Sequence, residues 1–401
     1  MPHPSRCPTV FTLILGALST LGSLSIDMGL PALPAIELAF PEAMGHGALT
    51  LSLFLVGFCL SPLFAGLISD RVGRKPVLVK GLALFAVAAT TCASAQSFPG
   101  LLAARLIQGL AAGACVLLPI SMVRDTAEGP AARAQLALIT AILGLAPLAA
   151  PLPGGWLMTI ATWRAVFGAQ AIAGALLLLA ALTILPETVP EARRRAPLPI
   201  RAAYGAVLSN RTFWRFCIVF SSAFAAMFAF ISAAPAIFMG QYHLSGERFS
   251  WAFSVTALGV LLGTTAGGIL SRVGRSAPGI IGLGLIALLA AVGLFPVITL
   301  TGKAALTSLA VNAGAVFFAF GLIGPNATHE AMRPFAREAG VAAGVSRFVQ
   351  MMLAAVASGL VAALTPRLGG LGTAAILMGG FAAAAALAFL LIPSAPRPRE
   401  G

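Results

Sequence analysis

Three sets of residues in this chain have the types and spacing to do chemistry. The first is a lone acid. In "GSLSIDMGLPALPAI", Gly22 to Ile36, Asp27 follows an uncharged run that begins at Thr9 and precedes nine more uncharged residues. Taking a carboxylate out of water disfavours its charged form, and a cationic neighbour or water restores it. An acid in such a setting can pick up and release a proton. The second is a cation in equally apolar company, Arg105 in "LLAARLIQGLAAGA", with Gln108 one helical turn on. The third is a set of opposite charges at an apolar border: Asp70, Arg71 and Arg74 in "GLISDRVGRKP". Such groups can form ion pairs that make and break.

The elements that must position these groups are set by composition. The chain has 401 residues, of which 59% are hydrophobic and only 9% charged. A soluble protein of this length carries roughly 25% charged residues. The surface of this one must therefore face lipid. The net charge of +13 would suggest nucleic acid in a soluble protein. Here it reflects the gathering of Lys and Arg in cytoplasmic loops. The cysteines Cys7, Cys59, Cys92, Cys115 and Cys217 are far apart and odd in number, which argues for small packing residues over disulfides or metal ligands. The apolar run after Arg6 exceeds the roughly 7–15 residues of a signal peptide and ends at an acid followed by prolines, so it reads as a retained first span.

Pro, Gly and charge divide the chain into twelve apolar spans, near 9–37, 47–69, 77–95, 100–123, 135–158, 164–185, 213–237, 249–270, 277–299, 304–326, 339–364 and 371–392. The N-terminus, the even-numbered connections and the C-terminus hold nineteen of the Lys and Arg residues, against four in the odd-numbered connections. That bias predicts both termini on the cytoplasmic side. Residues 186–212, with Arg193, Arg194, Arg195 and several prolines, read as a cytoplasmic linker between a first half (1–185) and a second (213–401). Residues 200–208 within it can form a short amphipathic helix on the membrane face.

The halves echo one another. "GLISDRVGRKP" after span 2 and "GGILSRVGRS" after span 8 align at an offset of 201 residues. A parallel repeat of this kind places a cavity on the pseudo-two-fold axis near mid-membrane, about which the halves rock. The expected fold is an all-α integral membrane protein of two pseudo-symmetric six-helix halves.

The stretch "GLISDRVGRKPVL" resembles the loop 2–3 motif of the major facilitator superfamily, with Gly66, Asp70, Arg71, Gly73, Arg74 and Lys75 matching and Ile68 in place of Leu. The resemblance implies that Asp70 meets the N-terminal end of span 11, near Ala339, and that Arg74 pairs with Asp125. This cluster would hold the carrier outward-open and break on inward opening. The other reading is a positive-inside loop that only fixes topology. Arg105, Gln108 and Gly109 match the family's R-x-x-Q-G, which implies proton coupling; a structural hydrogen-bond hub is the alternative. An intramembrane arginine costs about 2.5–3.5 kcal/mol on insertion scales, so either role requires partners. "GLAPLAAPLPGGW" resembles the antiporter motif at Pro151, Gly154 and Gly155, with Ala150 replacing a glycine and Pro147 and Pro153 extra. "SIDMGLPALPAI" is similar to the first-span pattern of the bicyclomycin/chloramphenicol resistance (Bcr/CflA) subfamily, through Asp27, Met28, Leu30, Pro31, Ala32, Leu33 and Pro34, with Gly29 where a tyrosine is usual. "PET" at Pro186 to Thr188 also fits the superfamily.

These resemblances imply proton-coupled export of an amphipathic drug, such as chloramphenicol or a related antibiotic, across a bacterial inner membrane. Asp27 would carry the proton and touch substrate, and Arg105 would tune it. A structural cap before Pro31 and Pro34 is the other role open to Asp27. Counted at 1.5 Å per residue from Thr9, Asp27 lies about 27 Å up the helix. The alternative function is proton-coupled transport of a small metabolite or sugar. A non-transporting receptor is a further rival. The aromatic face of span 7, including Phe224 and Phe228, and the polar Asn312 and Gln350 are candidates for a drug pocket or for helix packing. No P-loop, H-E-x-x-H, G-x-S-x-G or G-x-G-x-x-G motif occurs, so neither an enzyme nor an ATP-driven pump is expected. The expected drive is the proton gradient, without cofactor, metal or nucleic acid, in a monomer.

Overall fold

The computed structural model describes residues 8–189, 200–300, 306–335 and 338–392. All regular structure among them is helical. In lipid every backbone N–H and C=O must find an internal partner, and long uncharged runs meet that demand by closing helices.

Ten stretches are long and apolar enough to span a membrane. One of them, Gly340–Leu391, has 52 residues, about 78 Å at the α-helical rise against a hydrocarbon core of about 30 Å. It folds back at Gly369, whose φ of +70° lies in the left-handed region, and so supplies spans 11 and 12. With Leu49–Val72 as span 2, twelve spans stand among the described residues. Most observed ends fall close to those read from the pattern. Two run about six residues further: span 5 begins at Gly129 and span 10 ends at Met332. Polar helical turns there project beyond the apolar stretch by which the spans were counted.

Prolines shape the spans. Span 1 is built in pieces, Pro8–Ser19, Leu21–Asp27, a 3-10 turn Leu30–Ala32 with Pro31 inside it, and Leu33–Ala39. Span 5 divides into Gly129–Ala149 and Pro151–Ile160. Span 7, Arg211–Pro235, passes after its proline into a π-helical turn, Ala236–Gln241. Pro lacks the N–H a continuous helix needs.

The chain forms two compact units, Met1–Pro197 with Phe238–Ser254, and Leu198–Ile237 with Val255–Gly401. The division departs from chain order in that the end of span 7 and the start of span 8 group with the first unit. In the first unit, span 2 packs on span 4, and span 3 packs on spans 4 and 6. In the second, span 7 packs on span 10 and on the span 11–12 stretch, and span 9 on span 10. Small residues let the backbones meet. A Cβ on Gly109 would land on the Phe54 carbonyl oxygen, and one on Gly321 on that of Val260. The same crossing is thus built twice, once in each unit. Outer faces stay apolar and exposed, as at Leu176, Ile286 and Leu390, where lipid replaces water. Helix 200–208 of the linker stretch is formed as expected.

Candidate functional site

Asp27 ends the second helical piece of span 1. It is only 6% exposed, and no hydrogen bond or ion pair joins its carboxylate to another described residue. Arg105 does not answer it. The guanidinium, 1% exposed, donates from Nη2 to the Ser25 carbonyl at 3.3 Å, from Nε to the Thr50 carbonyl at 3.2 Å, and from Nη1 to Gln108 Oε1 at 2.7 Å. It also lies over the Phe54 ring at 4.5 Å and the Phe167 ring at 5.5 Å, contacts a ring quadrupole favours. The cation therefore grips the backbone of the helix that carries Asp27. It ties span 4 to spans 1 and 2, meeting the first at Ser25, two residues before the acid.

Gln108 extends this network. Its Nε2 donates to Gln170 Oε1 of span 6 at 2.8 Å, which orients the amide so that its oxygen faces Arg105. The Cys92 thiol reaches the same oxygen at 3.8 Å. Gln170 is wholly buried, and its Nε2 is left without a partner. Sequence reasoning passed over Gln170. The available signal was a glutamine in an otherwise apolar span, "VFGAQAIAG".

At the inner end of the first unit, Gly73 turns the chain with φ +114° and Arg74 opens the next helix. Arg74 is 8% exposed. Its Nε donates to Asp125 Oδ2 at 3.1 Å, and its Nη1 to Ser69 Oγ at 2.6 Å. Glu187 of "PET" closes the cluster from the chain just after span 6. Its carboxylate accepts the backbone N–H of Arg74 at 2.9 Å and of Lys75 at 3.2 Å, an anion at the positive end of a helix. Thr188 donates its hydroxyl to Asp125 at 3.3 Å. The structure thus brings together Arg74 and Asp125 and adds Glu187 and Thr188, whose part the sequence alone did not reveal. Arg71 is exposed. Gly66 and Asp70 lie on the helix of span 2, but their surroundings fall outside the described residues.

In span 5, Pro151 starts the outer helical piece. Gly154 is so near span 1 that a Cβ there would fall on the Met28 carbonyl oxygen, and Gly155 lies against Ser250 and the Gly246 carbonyl. Ser254 Oγ donates to the Leu148 carbonyl at 2.7 Å.

The pocket candidates each have a near neighbour. The Phe224 and Phe228 rings meet at a tilt, 5.5 Å apart, and Phe224 meets Phe320 at 5.3 Å. Asn312 is buried and donates to the Ala291 carbonyl at 2.9 Å, a tie between spans 10 and 9. Gln350 accepts from Arg347, three residues earlier, at 3.0 Å. Glu330 pairs with Arg333 at 3.2 Å. The cysteines 59, 92, 115 and 217 are buried and free; Cys7 lies outside the described residues. No group of His, Cys, Asp and Glu among the described residues could hold a metal.

Twelve spans among the described residues, with a buried acid on span 1 and a buried arginine on span 4, make this a multi-pass membrane protein. The family model for the Major Facilitator Superfamily matches residues 12–358, and the chain belongs to that superfamily of transporters. It is 32% identical over 256 residues to the uncharacterized MFS-type transporter YdgK of Bacillus subtilis, covering 63% of each chain. It is 32% identical over 252 residues to the multidrug resistance protein MdtL of Klebsiella pneumoniae, covering 62% of this chain and 64% of that one. The match thus spans a little under two thirds of these relatives' length. A crystal structure of a D-xylose–proton symporter superposes with a TM-score of 0.75 at 14% identity, covering 96% of this chain and 98% of that one; this likeness concerns the fold.

Proposed function

We propose that this carrier exports an amphipathic, drug-like compound in exchange for protons. It would do so by alternating access across a bacterial inner membrane, with both termini cytoplasmic and the proton gradient as its drive. The single observation that carries the reading is Asp27: a carboxylate 6% exposed, at a helix end inside a membrane span, with no protein partner among the described residues. An intramembrane ionisable residue is a functional group by default, and one left unpaired is free to exchange its charge state. Protonated, it sits in its apolar setting at little cost; on binding, substrate displaces the proton. Arg105 steadies the helix backbone beside it through Ser25. The Arg74–Asp125 pair, with Asp70, is the inner gate. The multidrug resistance relative supports a drug-like substrate, and the Bcr/CflA resemblance of span 1 supports chloramphenicol or a related antibiotic as the first compound to try.

The test is proton release from purified protein in weakly buffered detergent on adding chloramphenicol. Wild type should release protons and Asp27→Asn should release none. A wild type that binds the drug yet releases no proton would sink the coupling mechanism.

A further inference from the structure

The break in span 1 frees backbone carbonyls around Asp27. In a continuous helix the Ser25 carbonyl would accept from the N–H of Gly29. That N–H goes to Ile26 instead, at 3.1 Å, and the N–H of Met28 goes to Ile26 as well. The Met28 carbonyl is left open in the same way. Pro31 has no N–H, and the N–H of Ala32 is taken by the Gly29 carbonyl at 3.1 Å. A carbonyl at membrane depth needs company.

Each of these two carbonyls is met by a residue of a different span. Arg105 of span 4 donates to Ser25. Gly154 of span 5 lies against Met28 so closely that only a glycine fits, since a Cβ would fall on the carbonyl oxygen. One contact pulls by charge; the other seats the turn by close backbone approach, with a Cα–H toward the oxygen. Asp27 stands between them on the chain, and its own carboxylate makes no hydrogen bond or ion pair with either.

We infer that Gly154 is a positioning residue: together with Arg105 it clamps the peptide from Ser25 to Met28 and so sets where the Asp27 carboxylate meets proton and substrate. The inference rests on the proton role proposed for Asp27. The span-4 and span-5 motifs then have one target, the four-residue break in span 1. The charged surroundings are simple. Among the described residues, the charged side chain that hydrogen-bonds to residues 21–32 is that of Arg105, and Glu247 and Arg248 stand at the start of span 8, whose Gly246 meets Pro31. The outer piece of span 5, Pro151–Ile160, carries no titratable group. Glu37, on span 1's own outer turn, is held by the Gly47 N–H at 2.8 Å.

The experiment is chloramphenicol binding to purified protein as a function of pH, for wild type, Gly154→Ala, Gly144→Ala and Asp27→Asn, and for Gly154→Ala in the Asp27→Asn background. Gly144 lies in the same span with nothing within 4 Å of an added Cβ. We expect Gly154→Ala to move the midpoint of the pH profile by about one unit, a tenfold change in proton affinity, and Gly144→Ala to leave it in place. In the Asp27→Asn background Gly154→Ala should have no midpoint left to move. A Gly154→Ala protein with weaker binding at every pH but the wild-type midpoint overturns the inference and leaves the role of Asp27 standing. A wild type indifferent to pH, or an Asp27→Asn protein that keeps the midpoint, overturns the proton reading and the clamp with it. Should Gly154→Ala not fold, hydrogen–deuterium exchange of wild type against Asp27→Asn decides. Peptides covering residues 25–33 and 151–158 should change together, and a change confined to the first overturns the clamp.

Discussion

The connections after spans 2 and 8 share the string "RVGR" 201 residues apart, yet they have become different devices. Both turn at a glycine in the left-handed region, Gly73 at φ +114° and Gly274 at φ +85°. Both follow the turn with an arginine. In the first, Arg74 is buried and held by Asp125 and Ser69, while Glu187 caps its helix. In the second, Arg275 is exposed. Leu270 stands where the first copy has Ser69, and Ser271 where it has Asp70. The acid at the inner end of span 10, Glu330, turns to Arg333, three residues on and just past the helix end. The turn needs only a glycine and the topology only a positive charge, so both copies keep those. A buried latch needs every partner at once, and only the first copy has them. Repeated sequence thus preserves backbone geometry and topology, while the electrostatics are free to diverge.

The largest effect that would sharpen this contrast is loss of the buried pair. Removing one partner of a buried, hydrogen-bonded ion pair costs about 3–5 kcal/mol, because the other charge is left uncompensated. Arg74→Ala or Asp125→Ala should therefore lower the thermal midpoint of the purified carrier clearly, whereas Arg275→Ala should change stability by less than about 0.5 kcal/mol. Equal losses in the two would break the comparison. Glu187→Gln comes next. It keeps the shape and removes the charge that accepts two helix N–H groups, which should cost about 1–2 kcal/mol. The readout is the same melting experiment, and a neutral result would reduce Glu187 to a bystander. The smallest effect belongs to the second copy. Glu330→Gln breaks an i,i+3 pair whose arginine is 43% exposed, a type worth at most about 0.5 kcal/mol. A melting shift as large as that of Asp125→Ala would mean that Glu330 has a partner role in another state of the carrier.

Much of the architecture was legible in the residues. The twelve spans, the break before Pro31 and Pro34 and the turn at Gly73 follow from local rules: uncharged runs must close their own hydrogen bonds, proline removes a donor, glycine admits positive φ. The pairing of Arg74 with Asp125 was legible only through the family motif, because 51 residues separate them. The partners of Arg105 were not legible. Two of its three hydrogen bonds go to backbone carbonyls, and every residue has a carbonyl, so no residue type betrays them. Arg105, expected to tune Asp27, is hydrogen-bonded to the Ser25 carbonyl two residues before it. Asn312 likewise donates to the Ala291 carbonyl of span 9, a partner that its amide does not announce in the sequence.

What the sequence by itself determined is the medium, the number of crossings and the places where helices must break, since these depend on composition and on neighbours a few residues apart. What only the tertiary structure decided is which broken backbone groups meet which spans. The carbonyls freed at Ser25 and Met28 find Arg105 and Gly154 by proximity in space, and hydrogen bonding and close packing act over a few ångströms whatever the distance along the chain.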